Sequence, residues 1–338
     1  MAADPARTET MRTLRFHQYG EPGDVLRLET APLPAPAADR IRVRVHACGL
    51  NPADWALCRG LFASELPRGI GLDVSGIVDA VGEGVTGVAV GDRVLGSADY
   101  GGCASAGASD HAVLQRWGLV PQALDMVEAA ALPMAIETAV HYLNCLDVQR
   151  GQTLLVNGGG TVIGFAAVQI GLLRGARVIA TAGETFADRL RALGASVTPY
   201  GEGMVERVRA LAGGAPDLVF DTAPVNLKPH HGSGGGVLAD LVAITGGDAG
   251  RVITCVDFAS AGALGVRTGF EGGGAPAADV VERPDVLGDY ARLAAEGRFS
   301  VPIARAFALE DWREAMGISL SGRAQGKLVL LIDPSAAG

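Results

Sequence analysis

A two-domain α/β fold is what this sequence predicts: a β-rich domain beside a doubly wound parallel sheet covered by helices. Three observations predict it. Residues 11–125 carry short β-type runs between Gly and Pro punctuators. From about residue 126, apolar strands alternate with helical runs, which implies a parallel sheet buried on both faces. The 338 residues are 49% hydrophobic and 19% charged, enough for two sizeable cores. The expected division is 1–125, completed by 278–338, for the β-rich domain and 126–277 for the parallel-sheet domain.

In the first segment, IRVRVHACGL sets Ile41, Val43 and Val45 against Arg42, Arg44 and His46, the period-two pattern of a half-buried strand. VSGIVDAVGEGV and VGDRVLG add short strands between tight turns. MVEAAALPMAIETAVHYL, from Met126, is one helix-like run. TLLVN predicts a strand from Thr153, followed by a helix over 162–174, the strand ARVIAT, and a helix over 185–193. DLVFDT and RVITCV are further apolar strands. VNLKPHHGSGGG, residues 225–236, is polar and glycine-rich, as a surface loop would be. A helix in VLGDYARLAAEG, a short RFSVPI, an amphipathic helix around Trp312 and a last strand KLVLLI follow, with a disordered tail expected after Asp333.

Composition excludes several function classes. A net charge of −9 leaves nothing to offset phosphate repulsion, so neither nucleic acid nor a membrane is expected as a partner. No apolar run reaches the roughly 18–20 residues that span a bilayer. The start MAADPARTETMR lacks an apolar signal core. The five cysteines, Cys48, Cys58, Cys103, Cys145 and Cys255, form no CxxC pair, so reduced thiols in a cytoplasmic protein are expected. Adjacent His230 and His231 point in different directions and lack a third ligand nearby, and no metal site is expected there.

The stretch LLVNGGGTVIG carries the chemistry. Leu154–Val156 reads as a strand, Gly158, Gly159 and Gly160 as a turn, and Val162 as the opening of a helix whose free N–H groups favour an anion. Gly159 and Gly164 fit the G-x-G-x-x-G frame, and Thr161 occupies its middle slot. A side chain there obstructs the backbone's approach to a pyrophosphate, although its hydroxyl could donate to a phosphate oxygen. The next strand ends in Thr181-Ala182-Gly183 with no carboxylate to take ribose hydroxyls. That leaves room for a 2′-phosphate, which Arg189 or Arg191 could approach; Glu184 would repel it if turned inward. For either arginine a solvated helix face is the plainer alternative.

The stretches YGEPGDVLRLE, VRVHACGLNPADW, GLDVSGIVDAVGEGV, VGDRV, ALPMAIETAVHYL, the module from Leu154 to Ala195, PDLVFDTAP and SGRAQGKLVLL cover nearly the whole chain. In this order they resemble the medium-chain dehydrogenase/reductase superfamily, and within it the zinc-independent quinone oxidoreductase and enoyl reductase branch. The resemblance implies a GroES-like catalytic domain, a Rossmann domain, and an active site in the cleft. Zinc-dependent relatives carry a catalytic cysteine where this chain has Asn51, and a His-Glu pair where it has Leu72-Asp73. The four-cysteine lobe of structural zinc is missing. Without a Lewis acid, reduction of an already polarised acceptor is favoured over alcohol oxidation.

The resemblance also implies site residues. Asn51 and Trp55 would line the substrate pocket, the first as an amide donor and the second as a stacking surface, while Asp54 would fix local structure. Thr138 matches a threonine beside the nicotinamide, and Tyr200 one near the adenosine phosphate. Arg323 and Lys327 fall where relatives bring a basic residue back to the cofactor. The lysine of many NADPH-using relatives falls near Phe186 or Ala187, and a tyrosine some relatives carry is Ala56. The function expected is an NADPH-dependent, zinc-free reductase of quinones or α,β-unsaturated carbonyl compounds, a homodimer paired through the edge strand RVITCVDF. The alternatives are an enoyl reductase of narrow selectivity in secondary metabolism and a nucleotide-binding partner or sensor with little turnover.

Overall fold

The computed structural model describes residues 9–224, 236–269 and 285–333. The surface loop expected at 225–236, with His230 and His231, falls almost wholly outside the described residues, as does the tail after Asp333. The chain divides into two units, one running to Met134 and resuming at Asp285, the other beginning at Ala135.

In the first unit, the strands Ile303–Ala308, Lys327–Leu331, Ile41–Leu50, Asp73–Val81, Arg93–Ala98 and His111–Leu119 lie side by side in that order. The last also pairs back onto Ile41–Leu50, so four of them close on themselves and leave no free edge between them. Alternation holds in the first half of Ile41–Leu50, where Ile41, Val43 and Val45 are buried; from His46 onward every residue is buried. The late strand Lys327–Leu331 runs antiparallel to it, Leu328 opposite Leu50 and Val329 opposite Gly49. Thr10–Phe16, Arg27–Pro32 and the short Arg68–Gly69 make a separate three-stranded sheet.

The second unit is the doubly wound sheet. Five parallel strands lie in the order Ser196–Thr198, Arg177–Thr181, Thr153–Asn157, Leu218–Asp221, Val252–Thr254. The chain starts at Thr153–Asn157, winds outward to one side, then returns to wind outward on the other. Every residue of Thr153–Asn157 is buried, as a strand covered on both faces requires. The helices Val162–Leu173 and Glu184–Ala192 fall within a residue or two of the expected spans. Ser196–Thr198 and the helix Met204–Ala212 carry no sequence expectation.

Two expectations are corrected. The run from Met126 is two helices, Met126–Ala130 and Pro133–Cys145, because Pro133 can open a helix but cannot continue one. The first belongs to the β-rich unit: Ser75 Oγ donates to Met126 O, and Ala130 packs on Ala47 and Val329. Residues 126–134 therefore group with the β-rich unit, beyond the expected boundary at 125, and the described part of the return begins at Asp285, since 278–284 lie outside the described residues. Val252–Thr254 is an edge strand, but Arg267 already pairs along its outer side, its N–H donating to Val252 O and its carbonyl accepting from Thr254 N–H.

Candidate functional site

The glycine turn joins Thr153–Asn157 to the helix Val162–Leu173. Gly158 holds φ +84°, a backbone conformation that disfavours a side chain. A Cβ on Gly164 would lie 2.2 Å from Gly158 O, so only glycine lets the helix sit this close to the turn. Gly159 is buried against Ala180, and Gly160 faces Phe186. Gly158 N–H donates to Thr181 Oγ1, Gly159 N–H to Thr181 O, and Thr161 N–H to Gly158 O. The N–H groups of Gly160, Val162 and Ile163 have no partner among the described residues, and they sit where a helix dipole favours an anion. This cradle fits a pyrophosphate.

Thr161 does not present its hydroxyl to a phosphate. It is the N-cap of the helix, with Oγ1 accepting from Gly164 N–H and lying 3.0 Å from Thr222 Oγ1, whose own hydroxyl is placed to donate to Asn157 O and Gly158 O. Such a cap contributes about 1 kcal/mol to the helix. Thr181, expected at the coenzyme, is wholly buried; its hydroxyl donates to Asn157 Oδ1 and accepts from Gly158 N–H. It supports the turn from beneath. Arg189 is exposed on the helix Glu184–Ala192 with no partner among the described residues, while Arg191 pairs with Asp188. Glu184 opens that helix and is exposed; Gly183, its N-cap, lies near the hydroxyl edge of Tyr200, which is 44% exposed. Thr138 is half-buried on the helix Pro133–Cys145.

In the first unit, Asn51, Asp73 and Lys327 form one buried cluster. Lys327 Nζ lies 2.5 Å from Asp73 Oδ2 and also donates to Asn51 Oδ1; Asn51 Nδ2 donates to Asp73 Oδ2 at 3.1 Å. Met134 N–H completes the carboxylate's partners at Oδ1. Burial raises the Asp73 carboxyl, opposed by the Lys327 charge and these hydrogen bonds. Lys327 was expected at the coenzyme; instead it is 1% exposed, its stem inside the unit because strand Lys327–Leu331 is central to the sheet. The Asn51 amide, expected to meet substrate, is likewise turned inward.

Trp55 is also part of the core, 1% exposed, with Nε1 donating to Ser319 Oγ, so its ring has no face for a flat acceptor. Asp54 fixes local structure as expected: Oδ2 accepts from Asn51 N–H, and Oδ1 from Gly71 and Leu72 N–H. Burial pushes its carboxyl up to about 6, opposed chiefly by the Asn51 and Gly71 hydrogen bonds. Arg323 is exposed in the turn before the last strand, its N–H on Ser321 Oγ. Cys48 is fully buried, which drives its thiol well up and makes it inert.

The donor set at Asn51, Leu72 and Asp73 does not suit zinc. It offers an amide oxygen and a carboxylate already joined to an ammonium, plus an alkyl side chain. Among the described residues no group of three or more His, Cys, Asp or Glu could hold a metal ion. No described helix is long and apolar enough to cross a membrane. Asn157, Asp221 and Thr254 carry no role among the sequence expectations, and Asp73 is named there only as half of the pair standing in the place of zinc ligands. Asn157, Asp221 and Thr254 share a signal with Thr181: TLLVN, VIAT, LVFD and VIT each end an apolar strand on a small hydrogen-bonding residue, whereas Asp73 opens its strand.

Residues 37–134 match the family model of the alcohol dehydrogenase GroES-like domain, and residues 193–330 that of the zinc-binding dehydrogenases. Quinone oxidoreductase of Homo sapiens is 35% identical over 179 residues, covering 51% of this chain and 53% of that protein. The chain thus spans about half the length of this curated relative. Erythronolide synthase EryA2 of Saccharopolyspora erythraea is 38% identical over 158 residues, 46% of this chain and 4% of that protein. The solved structure of an alcohol dehydrogenase superfamily protein from Novosphingobium aromaticivorans superposes with a TM-score of 0.78 at 26% identity, covering 96% of this chain and all of that one.

Proposed function

This chain belongs to the medium-chain dehydrogenase/reductase superfamily, and on that premise we propose that it is an NADPH-dependent reductase acting on a quinone or an α,β-unsaturated carbonyl compound without zinc. The observation that carries the reading is the buried Asn51–Lys327–Asp73 cluster. An ammonium bonded to the residues that would otherwise face a metal leaves no Lewis acid to stabilise an alkoxide. Quinones and enones are polarised already and accept hydride without one.

The coenzyme, when bound, supplies the hydride. The residues suited to hold it are the N–H groups of Gly160, Val162 and Ile163 for the pyrophosphate, with Tyr200 beside the adenosine part and Thr138 beside the nicotinamide. The absence of a carboxylate at Thr181-Ala182-Gly183 supports NADPH, with Arg189 as the cation for the 2′-phosphate. No acid residue is required, because water can protonate the product oxygen or the α-carbon. The similarity to a segment of an erythronolide synthase favours, as a second reading, an enone reductase of narrow selectivity.

The test is coenzyme consumption with a panel of quinones and enones, NADPH against NADH, together with elemental analysis. NADPH oxidation by zinc-free protein is the expected result. Stoichiometric zinc, or tight coenzyme binding with no consumption across the panel, overturns it; the latter outcome supports a nucleotide-binding partner or sensor.

A further inference from the structure

Four neighbouring strands of the parallel sheet end on Thr181, Asn157, Asp221 and Thr254, and strand register sets each opposite the next. All four are buried, and their side chains form one hydrogen-bonded rung. Thr181 donates its hydroxyl proton to Asn157 Oδ1 at 2.7 Å, Asn157 Nδ2 donates to Asp221 Oδ1 at 2.8 Å, and Thr254 donates to Asp221 Oδ2 at 2.9 Å. The Asn157–Asp221 bond joins the two strands between which the winding reverses, the place where open α/β sheets bind ligands beyond their strand ends.

An ionised carboxylate only accepts, so every proton in the rung points toward Asp221. That direction has a consequence at the far end. With its proton committed to Asn157, Thr181 offers only lone pairs upward, and one of them takes the Gly158 N–H at 2.9 Å. Reversal of the Asn157 amide would deprive the Thr181 proton of its acceptor and set Asn157 Oδ1 against the Asp221 carboxylate, so the rung holds Thr181 in the one orientation that meets Gly158 N–H. The same carboxylate accepts from Ala223 N–H, and Thr254 Oγ1 accepts from Val256 and Asp257 N–H. One buried group therefore ties down the segments that follow three strands.

We infer that Asp221 is a positioning residue for the coenzyme's pyrophosphate, acting through Asn157 and Thr181 on the turn at Gly158. The inference rests on the coenzyme-binding reading above. Charge alone predicts the opposite sign, since a carboxylate beneath a phosphate site repels it; only positioning makes Asp221 favour binding.

The experiment titrates the unaltered chain and Asp221→Asn with NADPH and NADH by calorimetry, and measures coenzyme KM and kcat separately. Asp221→Asn is expected to weaken NADPH binding about tenfold and raise KM in step, with kcat at saturation within about twofold. Exchange of the pair, Asn157→Asp with Asp221→Asn, rebuilds the amide–carboxylate bond and is expected to recover most of the affinity. Thr181→Val removes the acceptor for Gly158 N–H without changing side-chain size; it should reproduce the affinity loss even if Asp221→Asn fails to fold. Unchanged or tighter binding in a folded Asp221→Asn or Thr181→Val variant overturns the rung alone. Absence of binding to the unaltered chain overturns the reductase reading, and this inference with it.

Discussion

Lys327 and Asp73 face each other inside the β-rich unit, Nζ to Oδ2 2.5 Å apart and each side chain 1% exposed. A buried pair of this kind is weak evidence of net stability, but removal of one partner strands the other charge. Lys327→Met is expected to destabilise the protein by about 3–5 kcal/mol, read as a fall in the urea midpoint. The double variant Lys327→Met with Asp73→Leu should recover much of that loss, because no charge is then left uncompensated. A single variant as stable as the parent would contradict an ionised pair.

Asp54 makes stability depend on pH in a defined direction. Burial raises its carboxyl to about 6 in the fold against an ordinary value of 3.8, so the folded chain holds this proton more tightly than the unfolded one. The stability it contributes is present at low pH and is lost as pH rises from about 4 through about 6, on the order of 3 kcal/mol. Asp54→Asn cannot ionise, and its amide opposes the Asn51 N–H. The variant should therefore be least stable relative to the parent near pH 4, with the gap narrowing toward pH 7 in denaturation at several pH values.

Gly164→Ala places a methyl 2.2 Å from Gly158 O. The helix must back away from the turn, at a cost of about 1–3 kcal/mol. The N–H groups of Val162 and Ile163 move with it. Thermal unfolding should show a lower midpoint, and a coenzyme titration a weaker site.

A 2′-phosphate held by Arg189 predicts that this residue distinguishes the two coenzymes. Arg189→Ala should raise KM for NADPH about tenfold while leaving KM for NADH within about twofold. Equal effects on both would remove Arg189 from the 2′-phosphate site and leave it as a solvated helix residue.

The parallel-sheet unit was readable from sequence because its signals are local: TLLVN, the glycine turn and ARVIAT follow one another, and strand and helix periods are visible in each window. Ser196–Thr198 was not, since three residues carry no period. The boundary at Met134 was missed because a helix declares its partner only through packing, here of Ala130 on Ala47 and Val329. The site divides the same way. Gly158 and Gly164 announce themselves by spacing, but the direction of a hydroxyl does not, and Thr161 and Thr181 both face inward. Nor does sequence join Asn51 to Lys327, which meet only because the last strand lies beside Ile41–Leu50. The resemblance that sets Trp55 in a substrate pocket does not reveal its burial, because an aromatic next to a polar turn has the same composition whether it faces a pocket or the core.

That late strand also orders events during synthesis. The β-rich unit emerges first from the ribosome, yet Gly49 and Leu50 lack their partners on one side until Leu328 and Val329 have been made. The contiguous middle unit has no such wait and can mature earlier. A chain halted before its last strand should therefore carry a finished parallel-sheet unit and a closed set of four strands, with one side of Gly49 and Leu50 still uncovered, the form in which chaperones would meet it.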